Sequence, residues 1–223
     1  MEFFEWLNQI DTRLFLFLNG ANSPFFDTFF TLFTSKEIWV PFYLVVLLLI
    51  FRKYRTEGLW IFLFIVLAIV LNDQLSGIIK DIVQRIRPSH EATLAGKINL
   101  PAGAGGLYSF VSSHASNSFC LAVFLSLLIR QKSTGIFLFA WATLTAYSRV
   151  YVGVHYPFDI LAGALLGGLI GWGLYRLLAL FDARFREKRI EQTGKWSGTE
   201  TLVLKGTLLL LSLTMALASF VLG

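Results

Sequence analysis

Charge is scarce in this sequence: only 15% of its 223 residues are Asp, Glu, Lys or Arg, where a water-soluble domain of similar size carries about a quarter. Cysteine is almost absent. The single Cys120 lies inside an apolar run and has no partner, which excludes an internal disulfide. Three widely separated histidines and one cysteine make no recognisable zinc site. The chain also lacks the basic start of a secretory signal, since Glu2 and Glu5 stand there. What it has in excess is apolar length: 56% of residues are hydrophobic, and mean hydropathy is +0.66. The formal charge of +5 does not point to nucleic acid, because the basic residues flank apolar segments, where membrane topology accounts for them.

A bilayer core takes about 20 apolar residues per helix. Six runs approach that length: Glu37–Phe51, Gly58–Ile79, Ala115–Ile129, Gly135–Val150, Phe158–Phe181 and Leu202–Leu222. Residues 1–35 are apolar but broken at Asn19, Gly20, Asn22, Pro24 and Asp27, a pattern that predicts one or two amphipathic helices in the membrane interface. The expected fold is all-α, one domain over residues 1–223: a six-span membrane bundle (36–223) with amphipathic N-terminal helices. Twelve of the nineteen Lys and Arg residues fall on one side of such a bundle, including Arg52, Lys53, Arg55, Arg130, Lys132 and the run Arg184–Arg189. Positive charge marks the cytoplasmic side, so the termini and the loop Pro88–Phe110 are expected outside. Within that loop, Pro101–Gly106 lacks the Lys and Ser/Thr of a phosphate-binding loop and reads as a flexible segment or lid. Gly163, Gly167 and Gly171 recur every fourth residue, a face for close packing against another helix, expected within the bundle.

Three ionisable clusters then share one surface. The second span ends in Lys80 to Pro88, the third begins at Val111-Ser112-Ser113-His114, and the turn between the fourth and fifth runs from Ser148 to Asp159. The set suits a phosphate ester. Lys80, Arg87 and Arg149 offer positive charge to a dianion, and Ser112 and Ser113 stand at a predicted helix N-terminus with free N–H groups. Two histidines permit one to attack phosphorus while the other protonates the leaving oxygen. Asp159 is placed to orient His155. Arg85 and His90 match no such part; Arg85 reads as an interfacial charge at a helix end.

These residues resemble the signatures of the type 2 phosphatidic acid phosphatase superfamily. Lys, six residues, Arg-Pro matches Lys80 to Pro88, and Ser-Arg, five residues, His, three residues, Asp matches Ser148 to Asp159. The second motif, usually Pro-Ser-Gly-His, reads Val111-Ser112-Ser113-His114, and the lost glycine implies altered specificity or rate. The resemblance implies a membrane lipid phosphatase in which His155 becomes a phosphohistidine, Asp159 orients it and His114 is the general acid. Lys80, Arg87, Ser112, Arg149 and the backbone N–H of Ser113 are implied as phosphate ligands. It implies no metal and no cofactor, a lipid phosphate as partner with membrane lipids around it, no nucleic acid, and a bacterial cytoplasmic membrane with the site facing outward. Undecaprenyl diphosphate is the favoured substrate, with phosphatidylglycerol phosphate, phosphatidic acid and lipid A as rivals. A phosphotransferase or a non-catalytic lipid carrier is the alternative class.

Overall fold

A computed structural model describes residues 2–185, 188–193 and 195–223; Arg186, counted above in the basic run, lies outside them. Helices α1 (Glu2–Gly20) and α2 (Pro24–Thr34) open the chain. They are followed by α3 (Val40–Tyr54), α4 (Gly58–Val83), α5 (Ser113–Ile129), α6 (Lys132–Tyr151), α7 (Pro157–Phe185), the short α8 (Arg189–Gln192) and α9 (Gly198–Leu222). Among the described residues the one β feature is an isolated bridge, Ile86 to Tyr108.

Local chemistry sets the ends. The Ser23 hydroxyl accepts the Phe26 N–H and Pro24 starts α2, so the break expected near Asn22 is a capped helix start. Gln84 closes α4 in the left-handed region at φ 51°, and Pro88 soon after prevents continuation. Ser197 and Glu200 form a reciprocal capping box on α9.

Helix α5 is the centre of the bundle, packed against α4, α6 and α7. Its small buried residues Ala115, Ser116, Ser118, Cys120 and Ala122 admit close neighbours. The glycine face of α7 is turned onto it: a Cβ on Gly163, Gly167 or Gly171 would meet the carbonyls of Ser112, Ser116 and Cys120 in turn. The opposite face of α7 exposes Leu161, Leu165, Leu169 and Trp172. Helix α9 likewise exposes Leu202, Leu209, Leu210, Leu213 and Leu217. Outward apolar stripes over a close-packed interior are the signature of helices solvated by lipid. Together with three apolar stretches long enough to cross a bilayer, they make this an integral membrane protein.

Those three stretches are Glu37–Val83, which takes α3 and α4 together, Pro157–Arg184 and Gly198–Leu222. The other expected spans are less apolar or shorter. Helix α5 has 17 residues, about 25 Å of rise against a hydrocarbon core of about 30 Å. Helix α6 carries Thr134, Thr145 and Ser148 on its buried side, which lowers its hydropathy although these hydroxyls do not meet the lipid.

One end of the bundle gathers the basic residues. Lys53 Nζ donates to the Lys195 carbonyl at 3.0 Å, Arg189 pairs with Glu57 at 3.6 Å, and Trp196 N–H reaches the Ile129 carbonyl at 3.4 Å. The other end holds the turn between α6 and α7, the start of α5, the end of α4, and α1. Asn19 of α1 donates to the Tyr151 carbonyl at 2.7 Å and accepts from the Asn99 N–H at 2.8 Å.

Candidate active site

Pro157 opens α7, so His155 precedes the helix, in a turn that Gly153 permits at φ 79°; a Cβ there would lie 2.5 Å from the Asn99 carbonyl oxygen. The Val154 and His155 N–H groups both donate to the Arg149 carbonyl, at 3.1 and 3.2 Å. His155 Nδ1 faces Asp159 Oδ2 at 3.4 Å, although the two residues do not share a helix. Arg87 Nη1 lies 3.1 Å from His155 Nε2. A guanidinium only donates, so Nε2 accepts, and the ring proton is assigned to Nδ1, towards Asp159. Nε2 is then the lone-pair side of the ring.

Asp159 is fully buried, yet each carboxylate oxygen is used. Oδ2 also accepts the Tyr156 N–H at 2.9 Å, and Oδ1 accepts from Arg85 at 2.8 Å. The Asp159 carbonyl accepts the Ser112 N–H at 3.1 Å, which ties the start of α7 to the start of α5. Ser112 is itself fully buried and its hydroxyl accepts the Ala115 N–H at 3.4 Å as the N-cap of α5. Ser113 follows as the first helical residue, where a backbone N–H has no partner inside the helix. Its hydroxyl accepts from Lys80 Nζ at 2.9 Å, and the same Nζ donates to the Val111 carbonyl at 2.6 Å.

Arg149 donates to Thr34 Oγ1 at 2.6 Å, and Arg87 to the Val154 carbonyl at 3.0 Å. Both guanidinium groups leave a buried Nε without a hydrogen-bond partner. Among the described residues, Lys80, Arg87 and Arg149 form no ion pair. Three partly buried cations meet at this end of the bundle without a direct ion pair, an arrangement that favours the arrival of an anion.

His114 stands apart from these contacts. It lines a cavity of about 330 Å³ that runs between α3, α4, α5 and α6, walled by Trp39, Tyr43, Ile65, Leu121 and Trp141. Thr34, Lys36, Asp73 and Asn117 are its polar edge, with Asn117 donating to Asp73 at 2.8 Å. Arg149, Lys36, His155 and Arg87 are the charged or titratable groups that face His114. All eight expected site residues therefore lie at one end of the bundle, six of them in direct mutual contact through side chain or backbone, with Arg149 joined by its carbonyl to His155 and His114 opening on the groove.

The PAP2 superfamily model matches residues 58–182, the stretch that holds every one of these residues. The chain belongs to the PAP2 superfamily. It is 39% identical to a lipid A 4'-phosphatase of Bacteroides thetaiotaomicron over 92% of this chain and 94% of that one. It is 35% identical to an undecaprenyl-diphosphatase of Sulfolobus acidocaldarius, over 84% of this chain and 80% of the other. The crystal structure of Aquifex aeolicus LpxE superposes with a TM-score of 0.59 at 32% identity, covering 74% of this chain and 94% of that one.

Two sequence readings change at this site. Arg85 is no free interfacial charge: it is paired with Asp159 and with Asp11 of α1, each at 2.8 Å. The glycine-rich segment is anchored, not loose. Arg87 N–H donates to the Leu107 carbonyl at 3.0 Å, Ser89 Oγ to Ala104 at 2.6 Å, and Ser109 N–H to Arg85 at 2.8 Å. His90 lies 3.2 Å from the Gly105 carbonyl. These bonds fix the backbone that presents Arg85 and Arg87. Asn19, read only as a helix break, ties α1 to the α6–α7 turn; no local pattern distinguishes such an asparagine from an ordinary cap.

Proposed function

We propose that this PAP2-superfamily membrane phosphatase removes a phosphate from a lipid A type phospholipid, an acylated amino sugar, at the outer face of a bacterial cytoplasmic membrane. The observation that carries the phosphate chemistry is the set of three cations without an ion pair, Lys80, Arg87 and Arg149, at the site end of the bundle, with Arg87 on the lone-pair nitrogen of His155. The lipid A reading replaces the undecaprenyl diphosphate expected from the sequence, because the lipid A 4'-phosphatase of Bacteroides thetaiotaomicron matches over more of the chain and at higher identity than the undecaprenyl-diphosphatase does. Asp73 and Asn117 in the groove beside His114 agree with it, since they offer acceptors and donors to sugar hydroxyls and amides that a prenyl chain lacks. The bundle crosses six times, α3 to α7 and α9, with α1 and α2 in the interface. The basic end is cytoplasmic and the site faces out.

In the proposed reaction Lys80, Arg87, Arg149 and the Ser113 N–H hold the phosphate oxygens, and the acyl chains lie in the groove. Ser112 sets the start of α5 and has its hydroxyl hydrogen left to donate. Arg87 leaves Nε2 for a phosphate oxygen. His155 Nε2 then bonds to phosphorus as the bond to the lipid oxygen breaks, and His114 gives that oxygen its proton. Asp159 holds the positive imidazole. Water next attacks phosphorus, gives a proton back to His114, and the N–P bond breaks to release phosphate.

The test is phosphate release by purified protein from lipid A, undecaprenyl diphosphate, phosphatidylglycerol phosphate and phosphatidic acid, with chelator present. The expected result is fastest release from lipid A, undiminished by chelator. A preference of about tenfold or more for undecaprenyl diphosphate, a difference of about 1.4 kcal/mol in transition-state binding, overturns the substrate assignment. Transfer to an alcohol without free phosphate overturns the hydrolase, and chelator-sensitive turnover overturns the metal-free mechanism.

The pH profile has a definite sign. Burial pushes the His155 imidazole down to about 3, with Asp159 opposing and Arg87 and Arg149 reinforcing. The neutral, nucleophilic form is therefore already complete above about pH 4, one unit higher. Activity falls at both extremes, but the acid limb of kcat/KM follows the substrate phosphate, whose second ionisation lies near about pH 6. An acid limb that stays fixed when the lipid ester is exchanged for p-nitrophenyl phosphate, whose more acidic alcohol lowers its second ionisation, contradicts this.

A further inference from the structure

Arg85 occupies no motif position, yet its guanidinium has the fullest set of partners at the site end of the bundle. One nitrogen donates to Asp159 Oδ1 at 2.8 Å. The other pairs with Asp11 Oδ2 at 2.8 Å and donates to Asn8 Oδ1 at 3.3 Å. Its central carbon lies 4.1 Å from the centre of the Tyr156 ring. Its own backbone is clamped, the carbonyl accepting from both the N–H and the hydroxyl of Ser109.

Asp11 is the other half of the device. It lies on α1, far from the motifs in sequence, and is completely buried. Its Oδ1 accepts the N–H of Phe158, the residue before Asp159, at 2.9 Å. Helix α1 therefore grips the start of α7 directly and, through Arg85, at the Asp159 carboxylate. Phe15 of α1 packs edge-on against Tyr156 at 5.5 Å, and Asn19 holds the Tyr151 carbonyl at the far side of the same turn. The His155 turn is strapped at both ends by one helix that carries none of the motifs.

We propose that Asp11 and Arg85 are positioning residues for the Asp159–His155 pair, and that α1 is a strap whose seating sets the aim of the nucleophile. This rests on the reading of His155 as nucleophile. The physics is specific. Without Arg85 the Asp159 carboxylate is held at Oδ2 alone, by the Tyr156 N–H and the His155 ring, and can turn about that oxygen; an error of about 1 Å in the reacting geometry costs about 100-fold in rate. The phosphate cations are untouched, so ground-state binding stays.

The experiment measures kcat and KM for full-length wild type, Arg85→Gln, Arg85→Lys, Asp11→Asn and His155→Ala in one detergent, using lipid A and the small soluble ester p-nitrophenyl phosphate. Arg85→Gln is expected to lower kcat by about 100-fold with KM within about twofold, on both substrates. Arg85→Lys restores about a tenth of wild-type turnover or more, because the charge remains while the forked geometry is lost. Asp11→Asn, nearly isosteric, falls between and covers the case in which Arg85→Gln does not fold. A raised KM at unchanged kcat overturns the proposal by making Arg85 a substrate ligand. Wild-type kinetics in Asp11→Asn removes the strap. Retained turnover in His155→Ala overturns the nucleophile itself, whereas a dead His155→Ala beside a normal Arg85→Gln overturns only the strap.

Discussion

Replacing His155 with alanine is expected to lower phosphate release from every substrate by at least about 10,000-fold, the scale at which loss of a nucleophile acts when binding groups remain. The reasoning separates it from its neighbour His114. His155 sits with its lone-pair nitrogen at Arg87 and its other nitrogen at a buried carboxylate, so in the proposed reaction its loss removes bond formation to phosphorus whatever is attached on the far side. His114 lies towards the groove, where the proposed reaction has the lipid oxygen leave. Its replacement by alanine is expected to cost about 100- to 1,000-fold on a lipid alkoxide, within the range for a lost general acid. On p-nitrophenyl phosphate, whose leaving group needs no proton, the cost in kcat/KM should be about tenfold or less, because kcat/KM ends at the loss of the aryl group and the water step comes after it. Rapid quenching supplies the second readout: wild type and His114→Ala yield acid-labile phosphoprotein from the aryl ester, and His155→Ala yields none. Equal losses for both histidines on both esters would remove the division of labour, and label trapped in His155→Ala would place the nucleophile elsewhere.

The parts of this site that are legible in the sequence are those that act over short spacing or at the end of an apolar run. Lys80 and Arg87 close one helix, Ser113 and His114 open another, and the Arg149 to Asp159 segment bridges two more, so hydropathy alone brings them to one surface. The helices follow the same logic: α4, α5 and α6 start or stop within a few residues of the apolar runs. What stays hidden is tertiary pairing. Nothing near Arg85 announces that Asp11, 74 positions earlier, is its counter-charge, and an arginine at a helix end has an ordinary interfacial meaning. The same holds for Pro101–Gly106. Glycine and alanine there signal freedom, while the bonds that restrain them come from Ser89, His90 and Arg87, outside the segment. The buried hydroxyl of Ser112 is a third case, since a serine beside a helix start serves equally as a cap and as an anion ligand, and only the fold places it under the Ala115 N–H. Span counting is limited for a related reason. Hydropathy averages round the whole helix, so α6, which buries Thr134, Thr145 and Ser148, scores as less apolar than its outward face alone would.

Gly167 carries the largest expected effect on stability. A Cβ at that position would stand 1.9 Å from the Ser116 carbonyl oxygen, 2.6 Å from its carbon and 2.8 Å from its Cα. All three atoms are backbone of α5, so no side chain can rotate away, and the helices themselves must separate. Gly163 and Gly171 present the same clash one turn to each side, at 2.5 and 2.4 Å from carbonyl oxygens, so α7 cannot pivot about the substituted turn without opening the rest of the seam. Gly167→Ala is therefore placed near the top of the usual overpacking range, about 3 kcal/mol, or roughly 10 °C in apparent Tm for a chain of this size. Gly173→Ala on the same helix is the control, because a Cβ there meets nothing within 4 Å. Activity should suffer as well as stability. The Ser112 N–H bond to the Asp159 carbonyl crosses the α5–α7 seam at 3.1 Å, immediately above Gly163, and it aligns the helix start that carries Ser113 and His114 with the one that carries Asp159. Widening the seam should therefore lower kcat in Gly167→Ala even at temperatures where the protein is still folded. Thermal melts followed by size-exclusion chromatography, with turnover measured well below the transition, test both halves. A Gly167→Ala protein as stable as Gly173→Ala would show that α5 and α7 are not packed as closely as their backbones indicate.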